Sequence, residues 1–308
     1  MKIVFLDAKT LGKDISLDRF KDIATVDFYE TTQPNQVISR IKDAQIVVTN
    51  KVVIDKNIID NSNLKFIQVT ATGMNNIDIP YAKQNNIIVK NVAGYSTNSV
   101  VQTAFAFIFK FIQDIEYLNS YAKTKWCNSD SFTHIIPFGE LANKKVGIIG
   151  LGTIGKQVAN IANEFGAEVY YYSTSHKNNN NKYTQLSLEE LLKTCDIISI
   201  HAPLNENTAN LLNKENLVYL KEKTILLNLG RGGIVNENDI ALLLDQKEIY
   251  FATDVTTIEP IGCENPLLKV VNKNRLILTP HIAWASIEAR KTLIQMVYEN
   301  LNDFIGKQ

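Results

Sequence analysis

The sequence predicts an α/β protein made of two doubly wound parallel-sheet domains. Three observations lead there. The chain has 308 residues, and at roughly 150 residues per domain that length suits two. Short apolar runs alternate with longer amphipathic segments, the pattern of parallel strands covered by helices. The series also starts twice, once at the N terminus and again at Lys145 after an irregular stretch.

In the first series, strands are expected at Lys2–Leu6, Val26–Tyr29, Ile46–Thr49, Phe66–Thr70 and Ile87–Lys90, with helical segments around Gln36–Lys42, Asp55–Asp60 and Asp78–Asn85. A long helix should begin near Asn98, because Ser96, Thr97, Asn98 and Ser99 all offer N-cap oxygens and apolar residues continue from Val100 to Leu118. Tyr121 to Asn143 reads as an irregular arm carrying Trp126, Phe132, Pro137 and Phe138, and it serves either an oligomer contact or an intramolecular wrap. The second series predicts strands at Val146–Ile149, Glu168–Tyr172, Ile197–His201, Thr224–Asn228, Tyr250–Thr253 and Leu276–Thr279. Ser187-Leu-Glu-Glu190 is a capping box. Asn178–Asn181 has no apolar face to bury and reads as a surface loop, and Ser286–Phe304 reads as one amphipathic helix.

Composition narrows the function. Lys+Arg and Asp+Glu both number 32, so the formal net charge is zero, whereas a nucleic-acid protein needs a basic surplus to neutralise phosphates. The N terminus holds a four-residue apolar run, Ile3–Leu6, ending in an acid, unlike a signal peptide. The most apolar stretch, Ala104–Ile112, is interrupted by Lys110 and falls short of the ~20 residues that span a bilayer. Cys127, Cys195 and Cys263 are too few and too scattered for a disulfide or zinc framework. A cytoplasmic, metal-free protein with no nucleic-acid or membrane partner is expected.

The most informative local feature is Val146-Gly-Ile-Ile-Gly150-Leu-Gly152-Thr-Ile-Gly155. Glycines recur in many turns, but this set follows an apolar strand and opens the amphipathic segment Lys156–Phe165, the context that a dinucleotide-binding turn requires. Gly150 permits the tight turn, Gly152 lets the backbone approach a pyrophosphate, and Gly155 lets the helix pack on the sheet. The helix N terminus adds N–H groups and partial positive charge. The acid that holds a ribose about 20 residues further on is missing. In its place stands Tyr172-Ser173-Thr174-Ser175-His176-Lys177. Ser173 and Thr174 suit a hydroxyl, and His176 or Lys177 suits a phosphate, so the cofactor is read as NAD or NADP.

Three further segments stand at the carboxyl ends of predicted strands, where open α/β sheets bind ligands. They are Asn228-Leu-Gly-Arg231-Gly-Gly-Ile-Val-Asn236, Thr253-Asp254-Val-Thr-Thr-Ile-Glu259-Pro260 and Thr279-Pro280-His281-Ile-Ala-Trp284-Ala-Ser286. Singly, Arg231 reads as a solvated turn residue, Glu259 as a loop acid and His281 as a core histidine. Their order behind the glycine turn is harder to dismiss.

With these motifs, and with Val69-Thr-Ala-Thr-Gly73-Met-Asn-Asn-Ile-Asp78, Asn91-Val-Ala-Gly-Tyr95 and His201-Ala-Pro203-Leu with Thr208, nearly the whole chain resembles the D-isomer-specific 2-hydroxyacid dehydrogenase family, particularly its glycerate dehydrogenase/hydroxypyruvate reductase-like members. The resemblance implies a Rossmann cofactor domain, residues 98–286, inserted in a flavodoxin-like substrate domain, residues 1–97 and 287–308. It implies Arg231, Glu259 and His281 as catalytic residues. Thr72, Gly73 and Met74 would offer backbone N–H groups to the substrate carboxylate, and Trp284 would wall the pocket or pack in the core. Thr153 and Ile154 would meet the pyrophosphate, Ser173 the ribose, Pro203 and Thr208 the adenosine side, and Leu229 and Asp254 the ribose or nicotinamide. A homodimer is also implied. The chemistry is coherent: a guanidinium fork grips a 2-oxoacid, an imidazolium protonates the nascent alkoxide, and an adjacent carboxylate favours the charged ring. The chain departs from the family in lacking the acid at Ser173, in Ala122-Lys-Thr-Lys-Trp126 where Arg-x-Gly-x-Trp is usual, and in Gln102 where glutamate is frequent.

Three other readings compete, one of them phosphoglycerate dehydrogenation, whose phosphate-bearing substrate would want extra basic groups near the site. Tyr219-Leu-Lys-Glu-Lys223 matches the Tyr-x-x-x-Lys of short-chain dehydrogenases, but it follows the wrong glycine pattern and is read as surface helix. A dinucleotide-sensing, corepressor-like or scaffold protein would keep this fold and trio without turnover.

Overall fold

A computed structural model describes residues 1–175 and 180–307. His176, Lys177 and the first half of the expected Asn178–Asn181 loop lie outside the described residues. The chain forms two compact units, Met1–Ser96 with Trp284–Gln308, and Thr97–Ala283. The junctions therefore fall one and three residues earlier than the sequence suggests, and Trp284 joins the first unit.

The N-terminal part of the first unit runs β1 (Lys2–Phe5), β2 (Thr25–Phe28), α1 (Val37–Ile41), β3 (Ile46–Thr49), α2 (Lys56–Asp60), β4 (Phe66–Val69), α3 (Ile79–Gln84) and β5 (Ile88–Lys90). Its five strands are parallel in the order β2-β1-β3-β4-β5. Side chains alternate across a strand, so Val4, Val47 and Ile67 meet Val37, Ile41, Ile58, Ile59 and Ala82 from α1–α3 on one face. Asp55 and Asp78 cap α2 and α3 by accepting Ile58 N–H at 3.0 Å and Tyr81 N–H at 3.1 Å.

The second unit runs α4 (Thr97–Gln113), α5 (Ile115–Thr124), β6 (Lys145–Ile149), α6 (Thr153–Glu164), β7 (Glu168–Tyr172), β8 (Thr184–Gln185), α7 (Leu188–Thr194), β9 (Ile197–Ile200), α8 (Lys214–Leu217), β10 (Ile225–Asn228), α9 (Glu237–Gln246), β11 (Tyr250–Thr253) and β12 (Leu276–Leu278). The seven parallel strands lie in the order β12-β11-β10-β9-β6-β7-β8. The order reverses between β6 and β9, which makes that pair the switch point where such sheets take ligands. The final helix, α10 (Ile287–Ile305), belongs to the first unit, where Leu293, Ile294, Val297, Leu301 and Phe304 cover Ile3, Phe5, Ile46, Val48 and Phe66 on the second face of the sheet. No helix among the described residues is long and apolar enough to cross a membrane.

The structure departs from the sequence pattern in three places. The apolar run to Leu118 is not one helix. Asp114 adopts φ +43°, its carboxylate accepts Tyr117 N–H at 3.4 Å to cap α5, and it draws in Lys110 Nζ at 2.6 Å. Strand β8 has two exposed residues and no apolar signature. Tyr219 and Lys223 are not helical: α8 ends at Leu217, and Lys223 turns through φ +64°.

Candidate active site

The turn after β6 is shaped by what its glycines lack. Gly150 sits at φ +92°, and a Cβ there would lie 2.8 Å from Ala202 N, on the segment after β9. A Cβ on Gly155 would lie 2.3 Å from Gly150 O. Gly152 differs: a Cβ there would meet nothing within 4 Å. Open space at Gly152, immediately before the first residues of the twelve-residue α6, Thr153 and Ile154, is the cradle that a diphosphate needs. Beyond β7, Ser173 is fully buried and its Oγ has no hydrogen-bond partner among the described residues. An orphaned hydroxyl at the end of β7, together with the open cradle, fits a dinucleotide.

The other cofactor candidates also make internal contacts. Thr208 is fully buried, its hydroxyl donates to Pro203 O at 2.6 Å, and Asn205 N–H donates to it at 2.8 Å. It locks the loop after β9. Leu229 is nearly buried at the end of β10, its N–H donating to Ile200 O at 3.2 Å. Asp254 is 2% exposed. Its Oδ1 accepts Thr279 Oγ1–H at 2.6 Å and Ile282 N–H at 2.9 Å, and its Oδ2 accepts Ala283 N–H at 2.8 Å. Burial pushes the Asp254 carboxyl up, and those donors and the charge of His281 oppose the shift. Asp254 thus ties down the segment on either side of His281.

The catalytic candidates come from three consecutive strand ends of the second unit. After β10, Asn228 braces the turn: its Nδ2 donates to Arg231 O at 3.0 Å, and its Oδ1 accepts Gly230 N–H at 3.1 Å. The exposed Arg231 donates from Nη1 to Gly230 O at 2.8 Å. After β11, Glu259 Oε1 accepts Thr256 N–H at 3.2 Å, and Oε2 lies 2.7 Å from His281 Nδ1. His281, after β12, has φ +53°, a conformation uncommon for a side chain of this size and concentrated at functional sites. With Nδ1 engaged by the carboxylate, Nε2 is the nitrogen left to face a substrate. The structure therefore brings Glu259 and His281 into direct contact. It joins Arg231 to them through backbone, since a Cβ on the adjoining Gly232 would lie 2.0 Å from Thr256 O.

The remaining candidates belong to the first unit. Thr72, Gly73 and Met74 follow β4. The Thr72 hydroxyl donates to Val92 O at 3.2 Å, Asn91 Nδ2 donates to Thr72 O at 2.7 Å, and Ile77 N–H closes a turn on Met74 O at 3.0 Å. Trp284 is half-buried and packs edge-on to Tyr95, with ring centroids 6.1 Å apart, against the core under α10.

Residues 105–283 match the model for the NAD-binding domain of D-isomer-specific 2-hydroxyacid dehydrogenases. The chain belongs to this family. It is 36% identical over 317 residues to a hydroxypyruvate reductase of Blautia hydrogenotrophica, covering 99% of this chain and 97% of that one. It is 32% identical over 310 residues to a glycerate dehydrogenase of Methylorubrum extorquens, covering 99% and 96%. Among solved structures, an acyclic imino acid reductase in complex with NADPH and D-Arg aligns at a TM-score of 0.84 and 28% identity, over 100% of this chain and 98% of that one. This 2-hydroxyacid dehydrogenase is thus an NAD(P)-dependent oxidoreductase acting on a CH–OH group. Sequence patterns missed Glu237, which anchors the Glu259 loop. The acid directly after Val235-Asn236, close behind the Arg231 glycines, was the available signal.

Proposed function

We propose that this dehydrogenase interconverts a small 2-oxoacid, hydroxypyruvate or glyoxylate, with its D-2-hydroxyacid. The observation that carries the reading is the 2.7 Å contact of Glu259 with His281 Nδ1, a carboxylate–imidazole pair built for proton transfer at Nε2. Reduction leaves charge on the former carbonyl oxygen; His281 donates a proton there and reclaims it in the reverse direction. Arg231 holds the substrate carboxylate with its charged fork, the Thr72–Met74 loop is the proposed second grip, and Trp284 bounds the substrate. The Gly150–Gly155 turn, with Thr153 and Ile154, would hold the dinucleotide diphosphate, and Ser173 its ribose. Pro203 and Leu229 are the proposed neighbours of its adenosine and nicotinamide ends. When bound, NADH or NADPH supplies the hydride.

A spectrophotometric panel of 2-oxoacids with NADH and NADPH tests the reading, and turnover of hydroxypyruvate or glyoxylate is the expected result. Dinucleotide binding with turnover of none would overturn it in favour of a sensing scaffold. We also propose a homodimer formed through the arm after α5, where Phe132 and Ile135 are 89% and 84% exposed, since clustered exposed apolar side chains mark contact surfaces. Sedimentation equilibrium should give twice the 34.7 kDa chain mass; a monomer at micromolar concentration would refute it. The three free cysteines suit a reducing, cytoplasmic setting.

A further inference from the structure

Glu259 is presented by an exposed loop, with Ile258 beside it 69% exposed. Such a segment gains little from burial, so hydrogen bonds must fix its geometry. Those bonds converge on one side chain. Glu237, the first residue of α9, accepts Thr257 N–H at 2.6 Å and the Thr257 hydroxyl at 2.8 Å on Oε1, and Asn265 Nδ2–H at 2.6 Å on Oε2. Thr257 precedes Glu259 and Asn265 follows it, so one carboxylate brackets the loop from both ends. Asn265 is itself fixed, since its Oδ1 accepts Leu267 N–H at 3.0 Å. The Arg231 turn presses on the same place: a Cβ on Gly232 would lie 2.6 Å from Thr257 N.

We propose that Glu237 is a positioning residue for the Glu259–His281 pair, holding the Glu259 loop through Thr257 and Asn265. The assignment rests on the acid–base role proposed for that pair. Its physical basis is that a displacement of about 1 Å in a reacting group can cost up to ~10² in rate, and Glu237 is the side chain that ties both Thr257 and Asn265 to α9.

The test is a double-mutant cycle on the whole dehydrogenase with NADH and a 2-oxoacid that it turns over. Glu237→Ala should lower kcat roughly tenfold, while KM for the oxoacid and Kd for NADH, read by fluorescence, stay within about twofold. Glu259→Gln should lower kcat by about 10². Adding Glu237→Ala to Glu259→Gln should cost less than about twofold more, because the residue acts through a group already disabled. A full tenfold loss in that background, or native kcat in Glu237→Ala alone, would overturn the positioning role. Native kcat in Glu259→Gln would instead overturn the acid–base reading on which it stands. Glu264→Gln removes a nearby acid that pairs with Lys269 at 2.6 Å and should keep native kcat; an equal loss there would assign the effect to charge alone. Should Glu237→Ala not fold, Thr257→Val removes only the hydroxyl contact and should show the same non-additivity at roughly threefold.

Discussion

His201 and His281 stand just beyond strands β9 and β12 of one sheet, yet their surroundings make them different reagents. His201 Nε2 lies 2.8 Å from Ser199 Oγ, and its Nδ1 is buried with no hydrogen-bond partner among the described residues. Burial pushes its imidazole down to about 4, so the ring is neutral near pH 7 and has no proton to give. His281 is bonded through Nδ1 to a carboxylate, held in a left-handed turn, and flanked by residues 282 and 283 that Asp254 clamps. Position at the ligand-binding edge of a sheet does not make a histidine an acid. The partner of its second nitrogen does.

The largest test of this contrast exchanges the two rings in turn. His281→Ala should lower kcat by about 10²–10⁴ with dinucleotide affinity retained, the range for loss of a general acid. His201→Gln keeps a polar group beside Ser199, and its effect on kcat should be at least about tenfold smaller. Parallel steady-state kinetics and NADH titrations would check both. Equal losses in kcat would erase the distinction, and a matching loss of NADH affinity in His281→Ala would move that ring from the chemistry to the cofactor.

What the sequence disclosed follows the same line between local and distant causes. The Gly150–Gly155 turn was readable because backbone shape alone imposes it: Gly150 at φ +92° and Gly155 against Gly150 O tolerate no side chain, so the residue type betrays the conformation. The strand ends bearing Arg231, Glu259 and His281 were readable through strand periodicity, and their proposal as a trio came from the family resemblance. Partnerships across the sequence were not. Nothing near Asp254 announces that its oxygens serve Thr279, Ile282 and Ala283, some 25 or more residues away. The bonds by which Thr208 holds residues 203–205 likewise have no sequence signature. The helix that seemed to reach Leu118 breaks because Asp114 prefers capping α5 to continuing α4. Glu237 was hidden for the same reason as Asp254, being twenty residues from Thr257.

A smaller effect sharpens the contrast from the side of stability. A histidine kept neutral by burial takes up its proton in the unfolded chain, near 6.5, before it does so in the folded chain, near about 4. Its stabilising contribution is complete above the unfolded value and is lost as pH falls through that window, with a slope approaching about 1.4 kcal/mol per pH unit. Asp7 and Asp254 work with the opposite sign, since burial raises both carboxyls and their protonation favours the folded form. The whole-protein curve therefore understates His201, and the difference between two proteins isolates it. Urea unfolding of the native chain and of His201→Gln, measured from pH 7.5 to 5, should give curves that diverge at the alkaline end and converge on acidification. Parallel curves for His201→Gln would mean that its ring gains a proton without cost, and burial would then not be what keeps it neutral.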